Sequence, residues 1–329
     1  MTLTAETSSV RARRRRDHLL SGGSWTVLAL LAVVLVVIVA INPSFAEPVS
    51  LMAFAKKAAP LVVLAVGQYL VIVSGEFDLS VGSLVGAQVV IAARLMDGDE
   101  ALTWPVLGLM LAVGLVVGLV NGLVTTLLRV PSFITTLGMM LVLFGAVRLW
   151  TGGAPTGALT DAFRVLGRKG FPDVPGQFQV PYALLVAVVV GLLAVLLMRR
   201  PFGRSLVAVG DNAVAAAYSG ASVWWLRTRA FVLSSVLATV AAVLIGGFAG
   251  VTAQVGQGLE FMAITAVVLG GVALGGGRGT VVAAMVGALT LEALFTLFNQ
   301  LALPSTVRPA VQGVIIIAAV AYAARRRRT

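Results

Sequence analysis

Two acids, three hydroxyls and two glycines interrupt an otherwise apolar stretch at Ser74-Gly75-Glu76-Phe77-Asp78-Leu79-Ser80-Val81-Gly82-Ser83. Gly75 and Gly82 permit tight backbone turns. Asp78 and Ser80 have the side chains that cap a helix, satisfying N–H groups that lipid leaves bare. The segment reads as a capped re-entrant turn, or as one that also gates or lines a pathway, with Ser83 beside it. A second cluster is Gly270-Gly271 followed by Gly275-Gly276-Gly277-Arg278-Gly279. Its spacing fits neither nucleotide-binding fingerprint. A third site is Glu292, deep in the apolar run 281–299. A carboxylate there costs about 2.5–3.5 kcal/mol on insertion scales, so it must face a cavity, pair with a cation or carry a proton. Gln68, Gln88, Asn121 and Asn299 are polar residues of the same kind. Gly114, Gly118 and Gly122 make a small-xxx-small ridge suited to helix packing.

These residue types exclude much chemistry. The chain has no cysteine, and its single histidine, His18, stands in a basic tail. Disulfides, thiolate metal sites, cysteine nucleophiles and His-based triads are therefore excluded, and no metal site is expected. A P-loop needs Gly-Lys-Ser/Thr. The three lysines, Lys56, Lys57 and Lys169, each follow a residue other than glycine, so no ATP or other cofactor is expected on this chain. An intramembrane enzyme lacks paired catalytic acids within the apolar runs.

The elements that position these groups are membrane spans. Of 329 residues, 59% are hydrophobic and 11% charged, with a mean hydropathy of +1.02. Soluble chains average about 25% charged residues, so lipid must be the main solvent. Ten runs are long enough to count: 25–41, 58–74, 79–93, 105–128, 132–150, 180–198, 230–251, 262–275, 281–299 and 308–323. The third and eighth are short, as broken or bundle-buried helices are. Run 25–41, with arginines before it and Ser44-Phe45-Ala46 after it, also has the outline of a signal-peptide core. Its length, and the arginines closing the chain, favour a retained span.

The net charge of +11 is concentrated in Arg11, Arg13–Arg16 and Arg325–Arg328, which flank apolar runs as cytoplasmic anchors do. No nucleic-acid motif lies between them. With both termini in the cytoplasm, sixteen positive residues fall inside and eight outside. Only Lys56 and Lys57 dissent. The expected organisation is a basic tail at 1–24, one transmembrane domain at 25–323 and a basic tail at 324–329. The fold class is all-α, with two weakly repeated halves: Val71–Gly75 and Val267–Gly271 each lead into a Gly-rich break.

Residues 151–179, rich in Gly and Pro, read as an external loop with little regular structure. The longest internal loop is 199–229. Within it Ala213–Tyr218 reads as a short helix, capped by Asp211 or Asn212 and stopped by Gly220, with Ala216 and Tyr218 presented to a groove on a partner. From the residues alone, two transport classes stand: an importer driven by a separate ATPase, and an ion- or proton-coupled carrier using Glu292.

At these motifs the chain resembles a known family. Gly75-Glu76-Phe77-Asp78-Leu79-Ser80-Val81-Gly82-Ser83 is similar to the signature turn of ribose-type ABC importer permeases. Val130-Pro131-Ser132-Phe133-Ile134-Thr135-Thr136-Leu137-Gly138, Ala208-Val209-Gly210-Asp211-Asn212 with Ser219-Gly220, and Val267 through Thr280 resemble further motifs in the family's order. The resemblance implies two permease subunits, two cytoplasmic ATPase subunits that hydrolyse ATP, and an extracytoplasmic solute-binding protein. It implies import of a monosaccharide or similar polar solute across the cytoplasmic membrane by alternating access, with 211–220 as the coupling helix. Related branched-chain amino acid permeases carry a histidine-containing turn. The Asp78-Leu79-Ser80-Val81-Gly82 turn here favours the sugar-type branch, with amino acids as the alternative cargo. Ala213-Val214 stand where the family usually carries Pro-Glu, so the ATPase surface is expected to differ.

Overall fold

A computed structural model describes residues 22–154, 156–174, 178–252, 254–304 and 306–326. Most of the N-terminal basic tail and the last three residues of the C-terminal one lie outside the described residues. The ten apolar runs each fall on one helix. α1 spans Gly22–Ile41, α2 Pro48–Val73, α3 Val81–Met96, α4 Thr103–Thr126 and α5 Ser132–Thr151. After a short α6 (Asp161–Arg168) and a hairpin of β1 (Gly170–Val174) and β2 (Phe178–Pro181), α7 covers Tyr182–Arg199. Two short helices follow, α8 (Pro201–Asp211) and α9 (Ala213–Tyr218), then α10 (Val223–Ala249), α11 (Leu259–Leu269), α12 (Val281–Gln300) and α13 (Val307–Arg326). Six of these helices are long and apolar enough to cross a membrane, and α1, α3 and α11 are shorter apolar ones. The chain is a helical, multi-pass membrane protein.

α10 is the centre of the bundle and packs on α2, α3, α4 and α6. The glycine ridge of α4 makes this possible. A Cβ at Gly118 would lie 2.6 Å from Val232 Cα, and one at Gly122 2.7 Å from Thr228 Cα. The two backbones touch, which is how helices gain contact where lipid supplies no hydrophobic drive. α12 packs on α1, α2 and α11. α5, in contrast, leaves Phe133, Ile134, Leu141, Val142 and Leu149 exposed.

Three expectations are corrected here. α2 begins at Pro48, ten residues before the predicted span. Lys56 and Lys57 therefore lie within a helix, each with a partner that offsets its charge: Lys57 Nζ is 2.6 Å from Glu292 Oε1, and Lys56 stands over the Phe248 ring. The segment 151–179 holds regular structure, because Phe163 and Gly167 give α6 a buried face against α10. Its β1–β2 ladder pairs Gly170 with Pro181. Finally, neither Asp78 nor Ser80 caps α3. Ser80 adopts helical angles with no capping bond, and its hydroxyl is committed to Asp78.

Candidate functional site: a polar break, an outer cavity and a hinge at the loop face

The break between α2 and α3 folds around Asp78, which is fully buried. Asp78 Oδ1 accepts from Ser80 N at 2.9 Å and Ser80 Oγ at 2.6 Å. Asn121 Nδ2 on α4 donates to Ser80 Oγ at 2.9 Å, and Ser234 Oγ on α10 donates to Asp78 Oδ2 at 3.3 Å. The break between α2 and α3 is thereby tied to α10 directly and to α4 through Ser80. A buried network of this kind is costly to leave half-satisfied, so it moves as a unit or breaks as one. Asp78, Ser80 and Asn121 were legible in the sequence; Ser234 was not singled out.

Gly82 opens α3 where no side chain fits. A Cβ there would overlap Glu260 Oε2 and lie 2.7 Å from the Gly256 carbonyl oxygen. The segment 254–258 therefore reaches the start of α3, with Val255 and Gly256 against Gly82 and Gly86. α11 begins at this depth, which explains why the eighth span is short. Glu260 is buried, and no cation pairs with it among the described residues. Sequence reasoning missed it because the eighth span was started at residue 262, leaving Glu260 in an external loop. The available signal was its place two residues before that run: Glu260 and Glu292 are the only acids after Asp211. Ser83, Gln257 and Glu260 line a cavity of about 280 Å³ with Val90, Phe144 and Arg148, between α3, α5 and 254–260. That is just under the range of about 300–1,000 Å³ for pockets of drug-sized ligands, so the space suits only a smaller solute.

At the opposite end of α5, the Gly-rich turn after α11 meets the α2 break. Gly277 N donates to Val73 O at 2.9 Å, and a Cβ at Gly276 would lie 2.8 Å from Gly75 Cα. Gly277 also sits against Asp211, the last residue of α8, since a Cβ there would be 2.5 Å from Asp211 Cα. The two sequence-matched breaks and the end of α8 thus share one seam of bare backbone. Gly270 packs against α12 at Ala283, while Gly279 O accepts from Tyr69 Oη at 3.4 Å. Gly271 turns the chain out of α11 in the left-handed region, and the Arg278 carbonyl accepts from Ala273 N at 3.1 Å.

α9 leaves this seam as expected, with Asn212 as its cap: Oδ1 accepts from Ala215 N at 2.9 Å. Gly220 follows with φ +85°. Ala216 departs from expectation. It is 6% exposed and packs against its own chain, whereas Val214 (65%) and Tyr218 (89%) point away. The presented residues are therefore Val214 and Tyr218. A groove of about 1020 Å³ runs beside them, lined by Glu76, Arg129, Trp224 and Arg227.

Other predicted residues sit apart from these groups. Glu292 forms its ion pair with Lys57, and Asn299 accepts from the Arg308 guanidinium. Gln68 is buried, with neither amide atom hydrogen-bonded among the described residues. Gln88 clamps α3 to its neighbours, donating to Met110 O and Thr239 Oγ1.

The profile of the branched-chain amino acid transport system / permease component family matches residues 50–320. The chain belongs to that family. It is 36% identical over 294 residues to the ribose import permease protein of Bacillus subtilis (strain 168), covering 87% of this chain and 88% of the relative. It is 34% identical over 292 residues to the autoinducer 2 import system permease protein of Enterobacter sp. (strain 638), covering 88% and 83%. A probable ABC transporter permease protein of Escherichia coli (strain K12) is 37% identical over 297 residues, covering 89% and 87%. No solved structure matches the chain. The resemblance to ribose-type permeases, drawn from the motifs, thus holds over nearly the whole chain.

Proposed function

We propose that this chain is the permease subunit of an ATP-binding-cassette importer that carries a monosaccharide or similar small polar solute into the cytoplasm by alternating access. The observation that carries the reading is the placement of α9. It exposes Tyr218 and Val214 and joins directly to the seam where Asp211, Gly277, Val73 and Gly75 meet. A chain without a P-loop draws on ATP only through a partner, and a short helix with an exposed aromatic and an aliphatic anchor is a docking element for one.

In this reading two ATPase subunits grip α9 in a pair of permeases, and an extracytoplasmic binding protein delivers solute to the opposite face. Motion of α9 passes to α10 through Ala221–Arg227, and from Arg227 to Glu76 and the Ser74 carbonyl. The α2–α3 break then shifts against the Gly82–Glu260 contact, opening or closing the cavity above it. Sugar-like cargo is supported by the ribose and autoinducer 2 relatives, and by a small cavity whose polar lining (Ser83, Gln257, Glu260) suits hydroxyl groups. The lysine beside Glu292 supports a structural ion pair there rather than a proton carrier.

The test is uptake into vesicles holding the permease, its ATPase and its binding protein, with ribose and leucine as parallel cargoes. ATP-dependent ribose accumulation is expected. Leucine accumulation alone moves the chain to the amino acid branch, and solute movement by the permease alone under an ion gradient overturns the importer reading.

A further inference from the structure

A groove of about 490 Å³ lies on the outside of the bundle, away from the cavity and from α9. Its walls come from Leu115 and Leu119 on α4, Leu197 on α7, Phe202 on α8, and Trp225 and Val232 on α10. It exists because Gly118 and Gly122 draw α4 onto the α10 backbone, so that larger side chains on either side stand up as ridges. On α10 the lining runs from Trp225 to Leu233. At 1.5 Å per residue those eight steps span about 12 Å, within one leaflet of a hydrocarbon core of about 30 Å. The charge bias makes that leaflet the cytoplasmic one.

Its charged mouth is equally specific. Arg229 lines the groove, and its guanidinium is stacked over the Trp225 ring at 4.6 Å. Arg199, the last residue of α7, and Arg200 after it, both exposed, stand between the lining residues Leu197 and Phe202. No acid lines the groove among the described residues. Trp and Arg beside an apolar slot that fits within one leaflet complement a phosphate attached to an acyl chain.

We infer that this groove binds one anionic phospholipid of the cytoplasmic leaflet, its phosphate at Arg229 and an acyl chain between α4 and α10. The occupant is a lipid rather than a second copy of the chain, because a two-fold contact through this patch would set its arginines against one another. The site also has a consequence for transport. Arg229 is two residues from Arg227, which holds Glu76, so an occupied groove steadies the first turns of α10 that the loop must move. This inference is independent of which solute is carried.

The test is native mass spectrometry of the purified full chain with added phosphatidylglycerol or phosphatidylcholine. The wild type should retain phosphatidylglycerol in preference. Arg229→Gln should lower that retention about fivefold, the effect of one interfacial arginine, and lower phosphatidylcholine less, because choline offsets its phosphate charge. Leu119→Trp, which fills the slot from an exposed position, should lower both. A wild type without preference, or full retention by both variants, overturns the inference. So does an efficient disulfide between two copies carrying Leu119→Cys, which would assign the groove to a second permease.

Discussion

Arg227 reaches across the loop face to Glu76, with Nη1 2.7 Å from Oε1, and its Nε donates to the Ser74 carbonyl at 3.3 Å. One side chain at the start of α10 thereby holds both the charge and the backbone of the α2–α3 break. Glu76 is two residues from Asp78, so this pair is the shortest route from the loop to the buried polar network.

Breaking that route should uncouple the protein without unfolding it, since both side chains are partly exposed. Arg227→Ala and Glu76→Gln should each cut ATP-driven uptake about tenfold while leaving membrane levels normal. The double reversal Arg227→Glu with Glu76→Arg should recover part of the loss, as interacting pairs do in a double-mutant cycle. Strictly additive losses would show that the pair carries no coupling.

Gly82→Val should abolish uptake while the protein still accumulates in the membrane, because any side chain there meets Glu260 and the Gly256 carbonyl. Gly82→Ala should lie between the two. Uptake by Gly82→Val at the wild-type rate would mean that α3 and 254–260 are not in contact during transport.

Asp78→Asn replaces a carboxylate that gathers three donors. Asparagine keeps one acceptor oxygen but sets an NH2 group against a hydroxyl or N–H donor in a buried network, so the variant should lower the unfolding temperature in detergent and impair transport. Ser234→Ala, which removes one 3.3 Å bond, should cost much less. Equal thermal stability of Asp78→Asn and wild type would place the network outside the folded core.

The absence of cysteine makes topology measurable with single replacements. Thr160, which a sequence reading selects for the 151–179 segment, is buried and caps α6 through Phe163 N, so the exposed Thr156 is the better site. Thr156→Cys should react with an impermeant maleimide on intact cells, and Ser222→Cys only after permeabilisation. Labelling of both from one side would break the ten-span arrangement.

Much of this was written in the sequence, in elements governed by local rules. Ala213–Tyr218 has a capping residue before it and a glycine after it, and it forms with those limits. The Gly114–Gly118–Gly122 ridge follows from helical spacing. What escaped depended on partners far along the chain. Lys56 and Lys57 looked like a boundary because charge rarely enters a span; Glu292, 235 residues after Lys57, is what admits it. Glu260 and Ser234 gain meaning only when 254–258 and α10 reach the start of α3. Ala216 is small, and small residues suit a partner's groove or the protein's own core equally well. Only packing decides, and here the chain covers it itself.

The central claim, that a separate ATPase drives this chain through α9, is tested most directly by Val214→Arg with Tyr218→Ala. Both positions are exposed, so the variant should fold and insert normally. The measurement is the amount of ATPase that co-purifies with the permease, read beside ATP-dependent ribose uptake in vesicles. Loss of both, with unchanged ribose binding by the separate binding protein, is the predicted result. Full co-purification and full uptake would contradict it.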